Sequence, residues 1–214
     1  MSATCCAAPS PAASPQYRRV LWIALAVNFS MFLVEMVAGA GAQSSALHAD
    51  ALDFFADAAN YGISLFVLAA ALHIRARAAL LKGVSMGVFG LWVIGRALYH
   101  AVTGTVPEPE TMGVIGVLAL LANASVAAFL YAYRSGDANM RSVWLCTRND
   151  MIGNAALLLA ASGVLATGAG WPDVIIALGM ALLALDAAVR IVRQSKRELG
   201  ESHASARATS IAHR

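Results

Sequence analysis

An all-α membrane protein of six transmembrane helices, with both termini in the cytoplasm, is the fold class the sequence predicts, and three observations predict it. The 214 residues are 59% hydrophobic and only 13% charged, with a mean hydropathy of +0.68, more apolar than a soluble domain can hide. Apolar runs recur between polar breaks, each near the ~20 residues that a helix needs to cross ~30 Å of hydrocarbon. Lys and Arg gather on one side of those runs. Arg18 and Arg19 precede the first, Arg75, Arg77 and Lys82 lie between the second and third, Arg134 and Arg141 between the fourth and fifth, and Arg190, Arg193, Lys196 and Arg197 follow the sixth. Arg96 stands on the other side, so by the positive-inside rule the crowded side is cytoplasmic.

Residues 1–16 are rich in Ala, Pro and Ser and lack a basic segment ahead of an apolar core. They are expected as a disordered leader rather than a secretory signal. Spans are expected at 20–41, 45–73, 84–104, 111–133, 142–168 and 173–193. The outward loops GAGAQSS, TVPEPE and GAGWP are short, which makes sequence neighbours antiparallel packing neighbours. Gly, Ala and Ser recur within the spans and let helices approach closely. Residues 17–199 thus form one six-helix transmembrane domain, and the polar segment GESHASARATSIAHR (200–214) reads as a disordered cytoplasmic tail with no second domain after it.

The net charge of +3 and pI near 9.0 do not indicate nucleic acid, because the basic residues are spread over short loops and the tail. Three cysteines cannot make a disulfide framework, and Cys5 and Cys6 are too close to bridge each other without strain.

Charge inside the spans carries the chemistry. Glu35, Asp53, Asp57 and Asp150 lie where an ionised side chain costs at least a few kcal/mol unless partnered or hydrated. Asp53 and Asp57 are four apart, so they project from one helix face, and Cys146 and Asp150 repeat that spacing in the fifth span. Two helices that each offer two ligand atoms can close a four-coordinate metal site. Zinc accepts thiolate and carboxylate together, whereas magnesium and calcium want more oxygens and no sulfur. Plainer alternatives stay open: Asp50 as an interfacial residue near the outer surface, Cys146 as a small buried hydrophobe, or a fifth helix that begins after Cys146.

The stretch RRVLWIALAVNFSMFLVEMVAGAGAQSSALHADALDFFADA, with Asn28, Glu35 and its Ser-rich turn, resembles the first two spans of the cation diffusion facilitator family of divalent-metal/proton antiporters. NMRSVWLCTRNDMIGNAALLLAA is similar to that family's fifth span, and WPDVIIALGMALLALDAAVRIVRQSKREL to its sixth span and the basic helix after it. Asn123, in LLANASVAAFLYAYR, sits where the family often has Asn in its fourth span. The resemblance covers roughly residues 17–199. It implies a metal site of Asp53, Asp57, Cys146 and Asp150, with Cys146 in the place of the usual His. It also implies a homodimer, although the cytoplasmic metal-binding domain that helps most members dimerise is not expected here. The Asp, Asp, Cys, Asp set replaces both histidine positions of the zinc-selective members and leaves the preferred metal open.

What this implies is secondary active export of a divalent cation, zinc first and cobalt, cadmium or iron as others, in exchange for protons by alternating access. The expected location is a bacterial inner membrane, with no prosthetic group. Protons and metal compete for the same carboxylates. Cys5 and Cys6 are either a paired-thiol lure for metal or an incidental pair. His48 and His73 read as hydrogen-bonding residues at span ends, and His203 and His213 are too sparse for a His-rich loop. Glu35 either pairs with a neighbouring helix or relays protons, and Asp186 reads as a structural ion pair with Arg190. Two rival readings are a membrane metalloenzyme, disfavoured by the lack of an H-E-x-x-H motif, and a non-transporting metal sensor or scaffold.

Overall fold

The computed structural model describes residues 15–66, 72–131 and 138–212, with side chains over 15–65, 73–131 and 150–200. Six helices follow in order: α1 (Pro15–Gly41), α2 (Ser45–Phe66), α3 (Leu72–Thr103), α4 (Pro109–Tyr131), α5 (Ala138–Thr167) and α6 (Trp171–Ala212). No strand occurs among the described residues. Pro stands at the first position of α1 and α4, where its missing N–H would have had no helical partner anyway. Gly104 and Gly168 take positive φ (67° and 63°) just past α3 and α5. There the amide of Thr105 reaches back to the His100 carbonyl at 3.1 Å and that of Gly168 to Val164 at 2.8 Å, closing both helix ends.

Among the described residues five helices are long and apolar enough to cross a membrane, and their outer faces carry exposed side chains such as Val37, Leu81, Val102, Leu121 and Leu165. Apolar residues that would be a liability in water are at home in lipid. The chain is thus an integral, multi-pass membrane protein. α2 carries Asp50, Asp53 and Asp57 and packs against α1, α3, α5 and α6. Its segment from Ser45 to Leu52 is wholly buried. The bundle is therefore one polar helix wrapped by apolar ones, with its largest pairings α3 on α6, α1 on α2 and α4 on α5. Small residues set the tightest of these: a Cβ on Gly83 would stand 2.9 Å from Ile191 Cγ2, and one on Gly116 2.9 Å from Leu158 Cδ2.

The outer end of α2 is fastened to α6. Ser44 Oγ donates to Asp173 Oδ1 at 2.6 Å, the amide of Ser45 to Oδ2 at 2.8 Å, and that of Ala46 to Oδ1 at 3.0 Å. The amide of Leu47 donates to Ser44 Oγ at 3.0 Å. The first amides of a helix have no intrahelical acceptor, and here a carboxylate from another helix supplies one where the helix dipole favours negative charge.

Four expectations change. The third span begins at Leu72, not 84, so Arg75, Arg77 and Lys82 are helical residues and Lys82 is buried. His73 consequently lies in the first turn of α3, exposed, rather than at the end of the second span. The backbone of α6 runs to Ala212, so 200–212 is helical where a disordered tail was expected, its Ala, Glu, Ser and Arg content tolerating helix once α6 is nucleated. Asp50 is 0% exposed and lies inside the bundle, not at the interface. The Asp186–Arg190 ion pair is present at 2.8 Å. The leader, with Cys5 and Cys6, and His213 lie outside the described residues, and the side chain of His203 does too.

Asp173→Ala should cost about 3 kcal/mol, from three charge-assisted bonds that leave buried amides unpaired. Thermal unfolding of the purified protein in detergent would read this as a lower Tm, with Asp173→Asn intermediate. A Cβ on Gly170 would collide with the Thr105 carbonyl, whereas one on Gly41 meets nothing within 4 Å. Gly170→Ala should therefore lose roughly 1–3 kcal/mol, and Gly41→Ala should be neutral or slightly stabilising in the same assay.

Candidate metal site

The face that α2 turns into the bundle repeats acids at 50, 53 and 57, spacings of three and four that stack them one turn above another. Each meets a different neighbour. Asp57 comes within hydrogen-bonding reach of Asp150 on α5, and Tyr61, one turn further along α2, donates its hydroxyl to Asp57 Oδ2 at 3.3 Å. Both carboxyls are almost fully buried, at 8% and 6% exposure. Two carboxyl groups in contact inside a protein need a proton or a cation between them, because two bare charges would repel in a medium that screens poorly.

Asp53 lies one turn further out and Asp50 two, both against the backbone of α5. A Cβ on Gly153 would stand 3.6 Å from Asp53 Oδ2 and 3.8 Å from Asp50 Oδ1, ordinary contact distances that place both oxygens close to the backbone of α5. Opposite them, Glu35 of α1 is 0% exposed and faces Asp50. None of the four oxygens of Glu35 and Asp50 has a donor among the described residues. On the α4 side Asn123 Nδ2 donates to Asn154 Oδ1 of α5 in a long 3.4 Å bond, one turn from Asp150. Asn28 of α1 donates to its own Ala24 carbonyl at 2.8 Å. A column of buried polar groups therefore runs through the bundle between α1, α2, α4 and α5, the only kind of place where such groups are tolerated in a membrane.

Of the four site residues expected from sequence, Asp57 and Asp150 are brought together, and Asp53 lies beside them, aimed at Asp50 and Gly153. Among the described residues no three His, Cys, Asp or Glu side chains close into a metal-holding group. Position 146 lies on the backbone of α5, one turn before Asp150 toward the cytoplasmic end, and its side chain is outside the described residues. The helix does not begin after Cys146: it starts at Ala138.

Sequence reasoning missed three participants. Asp50 was readable, since it is three residues before Asp53 and so shares its face. Tyr61 was readable too, as the next i+4 step after Asp57. Lys82 was not, because its burial depends on where α3 begins. His48 keeps its hydrogen-bonding role: its Nδ1 lies 2.8 Å from the Ser44 carbonyl, and its ring stacks edge-on against Trp92 at 4.8 Å.

The family model of the cation efflux transmembrane domain matches residues 21–199. Among curated relatives, a cadmium, cobalt and zinc/H(+)-K(+) antiporter of Bacillus subtilis is 24% identical over 196 residues, 83% of this chain and 62% of the relative. The zinc transporter ZitB of Escherichia coli is 27% identical over 199 residues (86% and 63%), and the metal cation efflux system protein CzcD of Cupriavidus metallidurans 25% over 179 (78% and 57%). The chain spans about three-fifths of the length of these relatives. With most of its length matched by that model, the chain belongs to the cation efflux family, the cation diffusion facilitators.

Proposed function

We propose that this protein exports a divalent transition-metal cation from the cytoplasm, zinc first, with cadmium, cobalt or iron as further cargo, in exchange for protons. The observation that carries the reading is the meeting of Asp57 and Asp150, two buried carboxyls from different helices at a point where only a proton or a cation can satisfy both. The names of the relatives, zinc, cadmium and cobalt transporters among them, point to the same cargo. The bacterial sources of those relatives favour an inner membrane, and a homodimer remains part of the proposal.

The mechanism follows from competition for oxygen atoms. With the site open to the cytoplasm, a metal ion displaces protons from Asp57, Asp150 and Asp53 and takes the Cys146 thiolate as its soft ligand. Movement of α2 and α5 against the remaining helices then exposes the same groups to the outer side. There protons retake the carboxyls and metal leaves. Glu35 and Asp50, further out on the column, give an incoming proton a place to reside on its way. An inward proton gradient thereby drives metal out.

Proteoliposomes loaded with a metal-sensitive dye test this. Zinc flux should rise with an imposed pH gradient, and equal flux with and without the gradient would exclude antiport. Asp57→Ala and Asp150→Ala should each lose at least the roughly 10–100-fold that even a supporting group around a metal is worth, with protein yield near wild type. Cys146→Ser should weaken zinc and cadmium flux more than any manganese flux, because thiolate favours the softer ions. An unchanged metal preference would remove Cys146 from the site.

A further inference from the structure

Asp57 and Asp150 are not alone in meeting as carboxyls from different helices inside this bundle. Glu35 of α1 and Asp50 of α2 lie within hydrogen-bonding reach of each other, both are 0% exposed, and none of their four oxygens has a donor among the described residues. No Lys or Arg forms an ion pair with either of them there. The neighbouring polar groups are engaged elsewhere. His48, two residues before Asp50, has its Nδ1 on the Ser44 carbonyl and its ring against Trp92 and the backbone at Gly39. Asp173 accepts from Ser44, Ser45 and Ala46. Buried polar atoms without a partner are costly, and four acceptor oxygens on two facing side chains call for a positive occupant.

The chemistry of the pair suits a divalent cation. Two carboxylates balance its charge and offer it oxygen alone, with no sulfur among the described residues beside them. Asp50 precedes Asp57 by seven residues, two helical turns, so the pair lies roughly 10 Å nearer the outer side. Asp53 stands between the two levels, and its Oδ2 and Asp50 Oδ1 both lie close to Gly153 of α5. Acids on successive turns of α2 thus lead from the Asp57–Asp150 contact to the Glu35–Asp50 contact.

We propose that Glu35 and Asp50 form a second cation site, an all-oxygen station that receives the divalent cargo after it leaves Asp57 and Asp150 and before it reaches the outer side. A metal ion entering it displaces the proton that the pair otherwise holds, by the same competition as at the first site. The two stations differ in softness. The inner one includes the Cys146 thiolate and the outer one is oxygen alone, so zinc and cadmium are held less strongly at the second and meet weaker ligation as they approach release. This inference rests on the transport reading above and adds a second binding step to it.

Equilibrium dialysis of radioactive zinc against the purified full chain in detergent counts the ions. The wild-type protein should bind one zinc that Asp150→Asn removes and a second, weaker one that Glu35→Gln removes. Asp50→Asn, the reciprocal neutral variant, should lose the same second ion. Glu35→Gln supplies the donor that Asp50 lacks, so its Tm without metal should equal or exceed that of the wild type. Manganese, which favours oxygen ligands, should compete better for the Glu35-dependent ion than for the Asp150-dependent one. Zinc binding unchanged by both Glu35→Gln and Asp50→Asn would overturn the proposal and leave the pair to protons alone. Loss of both ions in both of these variants would overturn it too, since there would then be one site and not two. Equal competition by manganese at the two ions would overturn the all-oxygen assignment. Absence of the Asp150-dependent ion, or of zinc flux in proteoliposomes of the wild-type protein, would instead sink the transport reading itself.

Discussion

The cost of ionised groups in hydrocarbon is the constraint on which the rest of this structure depends. One helix, α2, carries three aspartates on its inward face, and a helix so marked can lie in a membrane only if other helices cover it. The five apolar helices do that, with their exposed Val and Leu turned outward and α2 enclosed between α1, α3, α5 and α6. The enclosure then has to be stabilised at its weakest place, the outer end of α2 with its orphan amides. Asp173 of α6 supplies the acceptors there, so a residue in the first turn of the last helix fixes the outer end of the helix that carries the site.

Given that frame, antiparallel geometry decides which acids meet. α2 runs from the outer side inward and α5 the opposite way, so a step along one is matched by a step back along the other. With Asp57 level with Asp150, Asp53 and Asp50 come level with the next turns of α5, close to Gly153. Asp50, Asp53 and Asp57 are thus spread over successive levels of a column rather than gathered at one point.

Close approach of backbones makes the column narrow. At Gly83 and Gly116 side chains of the facing helix occupy the space a Cβ would fill, and at Gly153 carboxylate oxygens line it. The first two hold α3 on α6 and α4 on α5, and the third brings α2 to α5. The same tight packing keeps Lys82 and Asn60 beside the site.

The sequence by itself determined an all-helical membrane protein of six helices, and Asp57 and Asp150 as acids on the second and fifth of them. Hydropathy over twenty residues, loop charge and i, i+4 spacing are local properties, and a membrane restricts the outcome to helices. Only the tertiary structure decided that Asp50 and Glu35 face each other, that Asp57 and not Asp53 meets Asp150, and that Lys82 is buried against Asn60. Those facts depend on the rotation and axial offset of one helix against another, which packing at glycines and the Asp173 cap set across more than a hundred residues of sequence. The start of α3 was hidden for a related reason: Arg75, Arg77 and Lys82 look like loop charges until a covering helix gives one of them a buried partner.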